Sequence, residues 1–153
     1  MRLYAFVGRL IFPVLLPIMR PLLRKSERTY VALICDGRVL LVKNWLARNT
    51  WRLPGGGITK NENTTQALCR EIHEELGIKL ESSKLHLLSS DLYKSDNLNF
   101  MSHWFYYQLE VIPPLKVQSF EITSHMWTNK IPDKMPEEVR NVLRKLKSLK
   151  MLY

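Results

Sequence analysis

The sequence is poor in cysteine, poor in acid, and has no apolar run long enough to cross a bilayer. Cys35 and Cys69 are its only cysteines, and neither stands in a CxxC pattern. That leaves no framework for a structural zinc site. Two reduced thiols are the simpler reading, and they point to the cytoplasm. Residues 10–19 are nearly all apolar, but a span needs about 20 residues. Pro13, Pro17 and Pro21 also break helical continuity there. No small-x-small cleavage pattern follows, so a secretory leader is not indicated. Neither an internal repeat nor a low-complexity linker divides the chain.

With 23 basic against 14 acidic residues, the net charge is +9 and the pI about 9.7. Such a surface favours anionic partners: phosphates, nucleic acid or an acidic membrane. The 153 residues are 46% apolar and 24% charged, which suits one domain with a proper core. Arg2, Arg9, Arg20, Arg24 and Lys25 surround the apolar stretch of residues 1–25. Two readings of that segment stay open. It is either a kinked arm packed on the domain or on a second copy in a homodimer, or a basic amphipathic segment making peripheral contact with anionic lipid. The expected division is an arm over residues 1–26 and a folded domain over residues 27–153.

Residues 29–35 read as a buried strand, Asp36-Gly37 as a hairpin turn, and residues 39–45 as its partner. A loop leads through Trp51 and Arg52 to Pro54 and the glycines Gly55, Gly56 and Gly57. A helix follows, stopping at Gly77. Strands are expected at residues 85–93 and 99–111, with a short one at 125–128. In the second, Met101, His103, Phe105, Tyr107, Leu109 and Val111 share a face that suits the core. Phe100, Ser102, Trp104, Tyr106, Gln108 and Glu110 share the other, which suits a ligand. A last helix from Pro136 carries a stripe of Val139, Val142, Leu143, Leu146 and Leu149. The fold class is α+β, an α/β/α sandwich with helices on both sides of a mixed sheet.

The stretch that dominates is residues 56–78, GGITKNENTTQALCREIHEELGI. Glu71, Glu74 and Glu75 fall at helical spacing beside the apolar stripe of Leu68, Ile72 and Leu76. Like charges so placed repel, and a hard divalent cation with oxygen ligands, magnesium or manganese, would relieve them. Asn63 and Gln66 form a capping-box pattern, and Arg70 stands four residues before Glu74. Asn61, before the helix, is a residue that tolerates left-handed backbone.

This stretch resembles the Nudix box, G-x5-E-x7-R-E-U-x-E-E-x-G-U, where U is aliphatic. Gly56, Glu62, Arg70, Glu71, Ile72, Glu74, Glu75, Gly77 and Ile78 fill every specified position. The resemblance implies a Nudix-type fold and a magnesium-dependent hydrolase that cuts the diphosphate of a nucleoside diphosphate linked to another group. It implies Glu71, Glu74 and Glu75 as metal ligands, with Glu62 supporting the cluster and Arg70 orienting the carboxylates. The proton acceptor varies across the family, which leaves Glu71, Glu75 and the later acid Glu121 open. Arg52, Gly55, Gly56, Gly57 and Trp104 are the candidates for touching substrate. RNA is a permitted partner that no residue specifically indicates. A different class of function, a Nudix-fold module binding nucleotide, RNA or membrane with little activity, is the alternative.

Overall fold

The computed structural model describes residues 27–44, 50–95, 98–117 and 122–153. The N-terminal arm, Trp45 and Glu121 lie outside those residues.

The aliphatic run Arg28–Cys35 forms β1, and all its residues after Arg28 are buried. Burial on both faces marks it as the centre of the sheet. It runs parallel to β5 (Leu98–Gln108) and antiparallel to β2 (Arg38–Asn44). With β4 (His86–Ser95) beyond β5 and β6 (Ile122–Thr128) beyond β2, the order is β4-β5-β1-β2-β6. The expected hairpin is present. Asp36 (φ 49°) and Gly37 (φ 64°) both take left-handed backbone, as a tight two-residue turn requires.

Past the hairpin, β1 and β2 pair only at Ile34↔Val39 and Cys35↔Arg38, then part. The gap is filled from another part of the chain. Arg52 exchanges two 2.9 Å backbone hydrogen bonds with Val42, and Val31 N–H donates to Pro54 O at 3.0 Å. Gly55, Gly56 and Gly57 then pair with Tyr30, Thr29 and Arg28 as a short strand, β3 (Gly55–Gly57). The glycines expected only as a turn are therefore also a strand. Their backbone satisfies an edge of β1 that would otherwise hold buried, unpaired amides.

Alternation along β1 builds two cores. Val31 and Leu33 face Leu68, Ile72 and Leu76 of α1 (Thr64–Leu76). Tyr30, Ala32 and Ile34 face Val139, Val142, Leu143 and Leu146 of α2 (Glu137–Ser148). One helix on each face gives the expected sandwich.

Three expectations need correction. Phe100, Ser102 and Trp104 are not a ligand face: they are 6%, 0% and 3% exposed. Trp104 stacks on Tyr30 with ring centroids 4.8 Å apart, in the core beneath α2. The β5 strand stops at Gln108, so Val111, expected in the core, is 73% exposed. Leu149 follows the end of α2 and is 53% exposed rather than part of its buried stripe. In β5 alternation separated the two faces correctly and could not tell what covers each, while Val111 and Leu149 fall beyond the ends of their elements.

The start of α1 is set by Asn63. Its side chain accepts from Gln66 N–H at 2.8 Å, and the Gln66 side chain accepts from Asn63 N–H at 3.0 Å. Asn63→Ala removes one half of this reciprocal pair. Chemical denaturation should show a loss of about 1 kcal/mol.

Candidate metal and phosphate site

α1 presses Leu68, Ile72 and Leu76, each 0% exposed, onto the sheet. That rotation carries Glu75 into the protein at 4% exposure and leaves Glu71 half-covered beside β3. Glu75 Oε2 accepts from Gly55 N–H at 3.2 Å. The Glu71 carboxylate lies where a Cβ on Gly56 would stand. Gly55 has φ 137°, and a Cβ there would run into the backbone carbonyl of Thr29. Glycine is thus required twice in succession, once for conformation and once for room. At the far end Gly77 takes φ 70° and donates to His73 O, the expected C-cap. Asn61, at φ 73°, accepts the left-handed position expected of it.

Arg70 is the hub. Its Nε donates to Glu62 Oε1 at 2.7 Å and one terminal nitrogen to Glu62 Oε2 at 3.0 Å, a bidentate pair. That same nitrogen donates to Gly57 O at 3.0 Å, tying the helix to β3. The other terminal nitrogen reaches Glu71 at 2.9 Å and Glu74 at 3.1 Å. The expected Arg70–Glu74 pair exists, but it is the longest of these carboxylate contacts. Glu62 is held besides by Thr59, whose N–H donates at 3.1 Å and whose hydroxyl donates at 2.7 Å. Thr59 was missed in the sequence, although a threonine three residues before a glutamate is a common local turn pairing.

The Arg70 guanidinium, then the Thr59 hydroxyl, holds the Glu62 carboxyl down at about 2 from an ordinary 4.5. Arg70 is pushed up in turn, first by Glu62. A pKa lowered on folding stabilises the native state above the unfolded value and stops doing so as pH falls through the folded one. Glu62→Gln should therefore be less stable than the native chain near neutrality. The two should converge between about pH 4.5 and 2. A difference that stays constant through that window in acid-titrated denaturation would disprove the linkage.

The remaining candidates are more scattered. The Arg52 side chain donates to Thr50 at 3.4 Å, and among the described residues it touches none of the carboxylates. Lys43 lies over the Trp51 ring at 4.3 Å, and Tyr106 stacks on His86 at 4.8 Å. His73 faces solvent, as expected of a free position in the box. Cys35 is buried and Cys69 half-buried, both as free thiols.

Glu62, Glu71, Glu74 and Glu75 set four carboxylates against the single guanidinium of Arg70. With the guanidinium among them, no three acids of the described residues converge on a common point. The donor set itself is all oxygen, the chemistry of magnesium and manganese. Of the three glycines Gly57 alone faces open space, which leaves room for phosphate to approach there. A family model described as the NUDIX domain matches residues 25–146, and the chain belongs to that family. Divalent-metal dependence is general in it.

Among curated proteins, the RNA pyrophosphohydrolase of Haemophilus influenzae (strain PittEE) is 38% identical over 78 residues, which is 50% of this chain and 33% of that protein. That of Teredinibacter turnerae is 41% identical over 50 residues, 33% of this chain and 29% of the relative. The match thus spans about a third of the length of these relatives. Among solved structures, a MutT NUDIX hydrolase from Burkholderia pseudomallei superposes with TM-score 0.71 at 26% identity, covering 80% of this chain and 98% of that one. A bifunctional NMN adenylyltransferase/ADP ribose pyrophosphatase from Francisella tularensis, complexed with AMP and a manganese ion, gives 0.69 at 19% identity over 93% of this chain and 46% of that one. The latter shows shared fold alone.

Proposed function

We propose that this chain is a magnesium-dependent pyrophosphohydrolase that cuts the diphosphate of a nucleoside diphosphate linked to another group. The observation that supports this most is the gathering of Glu62, Glu71 and Glu74 on Arg70, beside a glycine strand whose last residue, Gly57, faces open space. Glu71, Glu74 and Glu75 would hold the cation, with manganese as a substitute. When bound, the ion supplies charge neutralisation at the diphosphate and an acidified water.

The chain's own part follows from the contacts. Glu62 is fixed by Arg70 and Thr59, so it keeps Arg70 placed instead of binding substrate. Arg70 in turn sets the rotamers of Glu71 and Glu74. In the reaction water adds to phosphorus, the bridging P–O bond breaks, and a carboxylate accepts the water's proton. Glu71 and Glu75 are candidates for that acceptor within the cluster, and Glu121 remains the candidate further along the chain. The name of the curated relatives, RNA pyrophosphohydrolase, extends the substrate proposal to RNA. The free thiols support a reducing compartment.

The test is a hydrolysis screen over sugar nucleotides, dinucleoside polyphosphates and 5′-phosphorylated RNA, with magnesium, manganese or chelator. Metal-dependent release of a nucleoside monophosphate or inorganic pyrophosphate is expected. Ligand binding indifferent to chelator, with no hydrolysis of any member, would favour the binding-module reading.

A further inference from the structure

Strand register lines up four residues in one row across the sheet. Gly56 on β3 is opposite Thr29 on β1, Thr29 is opposite His103 on β5, and His103 is opposite Ser90 on β4. Directly paired residues point to one side of a sheet. Thr29 alternates with Val31, whose side faces α1, so the whole row lies on the face that carries Glu71. Strands are about 4.8 Å apart, which puts His103 roughly 10 Å from Gly56.

Among the described residues, α1 makes its sheet contacts chiefly with β3 and β1, and the face of β4 and β5 lies beside it. Ser90 is exposed, Leu92 is 52% exposed, and its partner Met101 is half-buried. Here His103, Met101 and Leu92 make a shelf that begins where a group attached to a bound diphosphate would lie. Thr29 Oγ1, at the seam between carboxylates and shelf, is fully buried and has no hydrogen-bond partner among the described residues.

The hydrogen bonds of His103 narrow its role. Nδ1 meets the Ser90 hydroxyl at 2.8 Å, and Nε2 meets Glu27 Oε2 at 3.2 Å. The complementary assignment has Nε2–H donating to the carboxylate and Nδ1 accepting from serine. Both nitrogens are then spent. A ring pinned at both ends has only its π surface and C–H edge to offer a ligand. That is unsuited to phosphate and suited to a flat heteroaromatic ring, with a thioether and a leucine beside it.

We propose that the base of the nucleoside diphosphate rests on this shelf, stacked against His103, and that His103 sets the preference for a base over other groups. The proposal rests on the pyrophosphohydrolase reading for its substrate class, but its test needs no turnover. Binding of AMP, GMP, CMP and UMP is compared with binding of ribose 5-phosphate, which has the phosphate and no base, by titration calorimetry in magnesium buffer. At least one nucleotide should bind the native chain about tenfold or more tightly than ribose 5-phosphate, the range that base stacking supplies. His103→Ala should abolish that margin and leave ribose 5-phosphate unchanged, whereas His103→Phe should retain most of it. Leu92→Asp, at an exposed position that tolerates replacement, should weaken the nucleotides alone.

No margin in the native chain, or an unchanged margin in His103→Ala, overturns the proposal. So does equal loss in His103→Ala and His103→Phe, which would assign the contact to hydrogen bonding. A change of mass in sedimentation on His103→Ala, with the base margin of that variant unchanged, would give the shelf to a second copy of the chain and also overturns it. A chain that shows the base margin but hydrolyses nothing would refute the enzymatic reading and leave this one standing.

Discussion

Glu74→Gln is expected to lower hydrolysis by roughly a hundred- to ten-thousand-fold while leaving the melting temperature where it was. The substitution keeps shape and removes charge. Glu74 is 52% exposed, and its described contact is the 3.1 Å pair with Arg70 one turn earlier. Such exposed i,i+4 pairs are worth about 0.3–0.5 kcal/mol, so folding should not register the change. A ligand to a catalytic cation is worth several kcal/mol in the transition state, and each 1.36 kcal/mol is a factor of ten. Stability and activity therefore separate cleanly at this position. Partial recovery at high manganese would identify the loss as one of cation affinity. Turnover equal to the native chain would remove Glu74 from the site.

Gly55→Ala and Gly56→Ala should fail in opposite ways, although the residues are neighbours. At Gly55 the obstacle is backbone: φ is 137°, and the new methyl meets the Thr29 carbonyl and Tyr30 Cα. Neither can move without breaking the β1–β3 pairing that closes the sheet. A loss of roughly 1–3 kcal/mol from strain alone is expected, with the clash adding to it. At Gly56 the obstacle is the end of the Glu71 side chain, which is flexible and can swing aside. Stability should change little. Activity should fall roughly a hundredfold, because a carboxylate displaced by about an ångström no longer serves the reaction. Thermal melts and hydrolysis assays on both variants decide this. If Gly56→Ala proved the less stable and Gly55→Ala the more active, the placement of Glu71 against β3 would be wrong.

The elements legible in the sequence are those with a local physical cause. Asp36-Gly37 forms its turn because both positions tolerate left-handed backbone. Asn63 and Gln66 cap α1 because each can reach the other's amide three residues away. The apolar stripe of Leu68, Ile72 and Leu76 orients the helix whatever it packs against. The box itself is local in the same sense: its glycine, glutamates and arginine lie within 23 consecutive positions, so their register could be checked by counting.

What failed did so where a partner lies far along the chain. Alternation in β5 separates Trp104 from Phe105, but burial of both depends on having a helix on each face. The Arg70–Glu74 pair is present as expected, and what the spacing did not show is that Arg70 also grips Glu62, eight residues earlier, in bidentate fashion. The box spacing specifies both residues, but nothing in a spacing says that they touch.

By itself, the sequence determined the family, the helix with its caps, and the identity of the acids on it. The helix and its caps follow from backbone preference and helical period, and the family follows from the resemblance of residues 56–78 to the Nudix box. Only the tertiary structure decided that the glycines form a strand in the fork between β1 and β2. Only there does the row of Gly56, Thr29, His103 and Ser90 exist at all. That row is drawn from four strands, and its hydrogen bonds include one between residues 76 apart. The energy that aligns it is the pairing of whole strands, which no single segment carries.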